Sequence, residues 1–115
     1  MTGLDVLIAL DQTGADRSAA MVKPGAIVIT DERLVGQPPT GEHVLHALPL
    51  NAQAIAAGSA RSANIVALGA YAALTGGCAL ATLQEAIRRE TAPRFVATNL
   101  EAARRGFELG QGRSA

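Results

Sequence analysis

The sequence predicts an α/β fold, a small parallel sheet with flanking helices and a helical carboxy-terminal half. Three observations predict it. The runs DVLIAL (5–10) and AIVIT (26–30) are continuously aliphatic, the pattern of strands covered on both faces. The stretch between them is long enough for a helical crossover, which makes the two strands parallel and the unit right-handed. From residue 64 onward, apolar residues recur at helical rather than strand spacing.

Taken in order, DVLIAL should form a central strand. DQTGADRSAAMV should form the crossover helix, with Thr13 and Asp16 at capping-box spacing and Pro24–Gly25 as its stop. AIVIT forms the second strand. VGQPPTGE then concentrates Gly and Pro, so no helix survives there. HVLHALPL (43–50) supplies a third strand ending at Pro49. NAQAIAAG (51–58) reads as a short helix with Asn51 as cap and Gly58 as terminator. NIVALGAYAALTG (64–76) is a helix apolar on nearly all sides. ATLQEAIRRE (81–90) has Thr82 and Glu85 at capping-box spacing, with Leu83, Ala86 and Ile87 on one face. APRFVATNLEAARRGFEL (92–109) sets Phe95, Val96, Asn99, Leu100 and Ala103 on one side of a helix and Glu101, Arg104, Arg105 and Glu108 toward the other. The tail, 111–115, should fray, which leaves a single domain over 1–110.

Composition narrows the function. The chain is 49% hydrophobic but 3% aromatic, so its core is built from small aliphatic side chains with backbones close together. Ten basic residues balance ten acidic ones, which gives no electrostatic footprint for nucleic acid or an anionic membrane. Cys78 is the single cysteine, whereas an iron-sulfur cluster takes about four thiolates. No apolar run reaches the ~20 residues of a membrane span, and MTGLDVLIALDQ has no basic region before its apolar run. The expected location is cytoplasmic.

Candidate functional residues are few, and none is a catalytic or metal-binding set. Asp11 and Gln12 follow the first strand at the carboxyl edge, where open α/β sheets place ligands; helix capping is the structural alternative. His43 and His46, three apart, point to opposite faces of a strand, so a metal site is not expected. Cys78 follows TGG near a helix end, either as a reactive thiol or as a small packed side chain. Arg88–Arg89 and Arg104–Arg105 read as solvated helix faces, with partner docking as the alternative. Gly69, Ala73 and Gly76 share a stripe on helix 64–76 where the sheet or a neighbouring subunit could approach closely. Asn64 would satisfy amides in the first turn of that helix.

The segments DVLIALDQ, VKPGAIVITDERLV, ANIVALGAYAALTG, LQEAI and NLEAARRGFELG resemble, in order and spacing, the carboxy-terminal part of the gamma subunit of 2-oxoacid:ferredoxin oxidoreductases. The resemblance covers nearly the whole chain and looks greatest to the 2-oxoglutarate type. It implies a gamma-type component of a complex that oxidatively decarboxylates a 2-oxoacid. In such a complex thiamine diphosphate sits between alpha and beta subunits, iron-sulfur clusters pass electrons to ferredoxin, and coenzyme A takes the acyl group. No catalytic residue of the family maps here, so the isolated chain is expected to be inactive and to hold no cofactor. The family's amino-terminal G-x-G-G-Q-G loop and R-G-G segment have no counterpart in the sequence. That implies a naturally shortened or split subunit, a fragment, or a diverged relative with a different job; the expectation that follows is a homo-oligomer that covers strand 5–10 and helix 64–76, or a complex with a chain carrying the missing half. The alternatives from other classes are a non-enzymatic assembly module and a free-standing ligand-binding domain.

Overall fold

The computed structural model describes residues 4–112, which fall into two compact units divided after Pro49. The amino-terminal unit holds a three-stranded parallel sheet in the order β1-β2-β3, formed by β1 (Leu4–Ala9), β2 (Val22–Asp31) and β3 (Val44–Leu48). Leu7 pairs with Val28 and Ala9 with Thr30, so these side chains share one face. On that face Leu7, Ala9 and Val28 are buried together with Ala15 of α1 (Gln12–Ser18) and Val35 of the loop after β2. The predicted strands are all present and all parallel.

Strand order and boundaries differ from expectation in instructive ways. The run 5–10, expected at the centre, is an edge strand, and β2 takes the centre. Continuous hydrophobicity marks burial on both faces but carries no information about which lateral edge is paired. The crossover helix is capped by Asp11 rather than Thr13. Asp11 leaves β1 in an extended conformation, and its carboxylate accepts the Gly14 amide at 2.7 Å. Pro24 and Gly25 do not stop a helix either. The chain has already left α1 through the 3-10 turn Ala19–Met21, and both residues lie inside β2. Leu4 pairs with Val22 but Val6 with Ile27, so β2 carries extra residues here, and Gly25 at φ +82° supplies the bend.

The carboxy-terminal unit is helical: α2 (Leu50–Ala57), α3 (Ala63–Thr75), α4 (Leu80–Glu90) and α5 (Pro93–Gln111). Asn51 lies inside the first turn of α2 rather than capping it. Thr82 is inside α4, which starts after Ala79 with no side-chain cap, so the Thr82–Glu85 box does not form. Pro93 opens α5, where its missing donor is tolerated. Of the expected frayed tail, Gln111 ends α5 and residues 113–115 lie outside the described residues.

α3 and α5 make the main packing of this unit through glycine. A Cβ at Gly69 would run into the Ala103 carbonyl and stand 3.0 Å from the Phe107 amide nitrogen. A Cβ at Gly106 would collide with the Val66 carbonyl, and one at Gly110 would lie 2.7 Å from the Ala73 methyl. The burial of α5 follows that approach: Ala102, Ala103, Gly106 and Gly110 are buried, whereas Phe95, expected on the apolar face, is 42% exposed. Leu83, Ile87 and Ala103 form a second buried cluster, edged by Ile65, Cys78, Leu80 and Leu100. α3 is not covered all round. Asn64, Leu68 and Thr75 are exposed and Tyr71 half-buried, and their spacing puts them on one open stripe.

Candidate functional site

The carboxyl edge of the sheet is built by side chains that bond the backbone. Asp11, directly after β1, is committed to the first turn of α1. Gln12, the next residue, bonds the loop that follows β2 through both ends of its amide. Its Nε2 donates to the Gln37 carbonyl at 2.8 Å, and its Oε1 accepts the Gln37 amide at 2.9 Å. The same Nε2 donates to Asp16 at 2.7 Å. Asp31, at the end of β2, accepts the amides of Arg33 and Leu34 at 2.9 Å each, which turns the chain sharply. The structure therefore gives Asp11 a capping role and Gln12 a latching role at this edge. The spacing of Asp11 and Gln12 was readable in the sequence. The contact from Gln12 to Gln37 was not, because it joins residues 25 apart.

In the helical unit the predicted packing stripe divides. Gly69 and Ala73 face α5. Gly76 is instead the residue after α3, in the left-handed conformation at φ +67°, with nothing within 4 Å of a Cβ placed there. The partner glycines Gly106 and Gly110 escaped the sequence reading because glycine contributes nothing to hydrophobic periodicity.

The arginines of α5 form an ion-pair network rather than a plain solvated face. Arg104 Nε donates to Glu101 at 2.8 Å, and Arg104 also pairs with Glu108. Arg105 Nε donates to Glu101 at 2.9 Å and its Nη1 to Gln53 of α2 at 2.8 Å. The hydrogen bond from Arg104 is the largest influence holding Glu101 below the ordinary glutamate value of 4.5, and Arg105 adds to it. Arg88 makes only a loose pair with Glu85 at 3.6 Å, and Arg89 is exposed.

The remaining candidates lie apart. His43 precedes β3 and is half-buried, while His46 is buried within β3. Among the described residues no group of three or more His, Cys, Asp or Glu side chains could hold a metal ion. Cys78 is half-buried and packs on the Leu83–Ile87 cluster. Asn64 does not bond the helix start as expected. It lies exposed at the rim of a cleft of about 300 Å³ between the amino ends of α3 and α5. The residue before α3, Ser62, spends its hydroxyl on Asn99 of α5 at 2.7 Å, leaving α3 without a side-chain cap. No helix among the described residues is long and apolar enough to cross a membrane.

Comparison with known proteins adds to this geometry. The sequence model of the family described as pyruvate ferredoxin/flavodoxin oxidoreductase matches residues 1–109. The gamma subunit of a keto/oxoacid ferredoxin oxidoreductase from Geobacter sulfurreducens PCA is 34% identical, with a TM-score of 0.87 over 95% of this chain and 65% of that one. A 2-oxoglutarate:ferredoxin oxidoreductase from Magnetococcus marinus, solved with 2-oxoglutarate, coenzyme A and succinyl-CoA bound, is 25% identical. It gives a TM-score of 0.79 over 96% of this chain and 20% of that one. The chain thus spans about two thirds of the gamma subunit and a fifth of the larger enzyme. No curated protein matches.

Proposed function

The chain belongs to the pyruvate ferredoxin/flavodoxin oxidoreductase family, and from that premise we propose that it works as a gamma-type subunit without catalytic residues of its own. The observation that carries the reading is the 34% identity and close superposition on a gamma subunit over 95% of the chain. In this reading, residues 1–110 act as one gamma-type domain, and the family match running across both compact units supports it. Alpha and beta subunits carry thiamine diphosphate, the iron-sulfur clusters and the chemistry of coenzyme A-dependent decarboxylation in the cytoplasm. The substrate is 2-oxoglutarate, as the ligands of the Magnetococcus marinus enzyme suggest. The single cysteine of this chain fits a division of labour in which clusters lie on partners.

The place where a partner joins is the free edge of β1. Among the described residues β1 pairs only with β2, so the other edge of an aliphatic strand presents its amides and carbonyls unpaired. A further strand added along this edge would complete the sheet there. Co-expression with the alpha and beta subunits is the test. The chain should co-purify and be required for coenzyme A-dependent reduction of ferredoxin by 2-oxoglutarate, with pyruvate the poorer substrate. Absence of a complex, or activity indifferent to this chain, would refute the role. A preference for pyruvate would refute the substrate alone. For the isolated chain, light scattering should show an oligomer. A stable monomer whose outward amides between Val6 and Ala9 resist hydrogen exchange would exclude the open edge as a docking site.

A further inference from the structure

The cleft between the amino ends of α3 and α5 combines polar and apolar side chains. Its apolar part is Ile65 and the ring of Phe95; its polar part includes Ser59, Asn64, Thr98 and the Arg61 side chain, together with the hydrogen-bonded pair Ser62 and Asn99. No carboxylate lines it. Among the described residues the Arg61 guanidinium has no ion-pair or hydrogen-bond partner, whereas Arg104 and Arg105 of the same unit are both engaged by Glu101. Beside the cleft a second cation, Arg94, stacks 4.7 Å from the centroid of the Phe95 ring. A large aromatic side chain left 42% exposed next to two cations has an apolar surface and an uncompensated positive field in one place.

We propose that this cleft binds a small organic anion, a phosphate monoester or carboxylate joined to a flat or aliphatic body. The anionic group would meet the Arg61 fork and the Asn64 amide, and the body would lie on Phe95 and Ile65. A cleft of about 300 Å³ is the size of a small-molecule site rather than of a macromolecular interface. The proposal is independent of the subunit role, since it uses residues of one unit and needs no partner chain.

Phenyl phosphate is the probe, titrated into the full chain and followed by amide resonance shifts. Saturable shifts should appear at residues 59–65 and 95–99. Inorganic phosphate, which lacks the apolar body, and phenol, which lacks the charge, should each bind about tenfold more weakly or less. Arg61→Gln should weaken phenyl phosphate binding by at least about tenfold while the spectrum stays dispersed. Asn64→Asp keeps the side chain's size and adds a negative charge that suits a helix amino end, so the fold should survive while binding is lost. Shifts that never saturate, shifts outside the cleft, or full affinity in either variant would overturn the proposal. Equal binding of inorganic and phenyl phosphate would overturn it too, because the apolar half of the site would then contribute nothing.

Discussion

The two units of this chain solve the same packing problem in opposite ways. The sheet unit is made of aliphatic runs and leaves both outer strands, β1 and β3, without further strand partners among the described residues. The helical unit closes on itself through a seam where glycines on α3 and α5 bring backbone against backbone. Strands attract further strands through unpaired backbone groups, so an open sheet edge is suited to assembly. A glycine seam has no such freedom, since its contacts are already at van der Waals limits. The difference places tolerance in one unit and intolerance in the other, and substitutions can break or sharpen it.

The largest effect should come from the seam. Gly106→Leu drives a side chain into the Val66 backbone, and overpacking of this kind costs about 1 to 3 kcal/mol or more when backbone must move. Gly69→Leu should behave alike against Ala103. Gly36→Ala in the sheet unit meets nothing within 4 Å and should stay within about 0.5 kcal/mol of the parent. Chemical denaturation of the three variants checks the contrast, and equal midpoints would end the claim that the seam is the tight region.

A smaller effect is expected at the latch of the sheet unit. Gln12→Ala removes both bonds to Gln37, each worth about 1 kcal/mol or less where solvent reaches them. Hydrogen exchange of the Gln37 amide should accelerate while the amides of β2 stay protected. Unchanged exchange would mean that the loop is held by something other than Gln12. Asp11→Ala should cost about 1 kcal/mol through the lost cap, and Asp11→Asn much less. Thermal melts of the pair separate capping from charge.

The smallest effect belongs to the ion pairs of α5. Glu101 is held below 4.5 by Arg104 and Arg105, so its pairing stabilises the fold above that pH and the benefit is lost as pH falls through its lowered folded value. Because the side chain is 34% exposed, solvent screening limits the contribution to less than about 1 kcal/mol. Glu101→Gln should therefore melt slightly earlier than the parent near neutral pH and converge with it in acid. A gap that widens as the pH falls would reverse the assignment.

Local pattern was enough to place the three strands and the helices near their observed positions. DVLIAL and AIVIT show uninterrupted aliphatic runs, and residues 92–109 repeat at helical spacing, both being properties of neighbours in the chain; the helix observed there is Pro93–Gln111. Capping was legible only in part. Asp11, Thr13, Asn51 and Thr82 all have side chains that can cap, and which one does so depends on where the helix actually begins.

By itself the sequence determined the α/β class, the parallel direction of the strands, the small-residue core and the absence of cluster-forming cysteines, because each follows from composition or short-range periodicity. Only the tertiary structure decided that β1 lies at an edge, that Gln12 latches Gln37, that α5 buries glycine and exposes Phe95, and that Arg61 and Phe95 share a cleft. Those outcomes depend on which distant backbones approach one another. That choice is made by summed packing across the unit, and no single segment carries it.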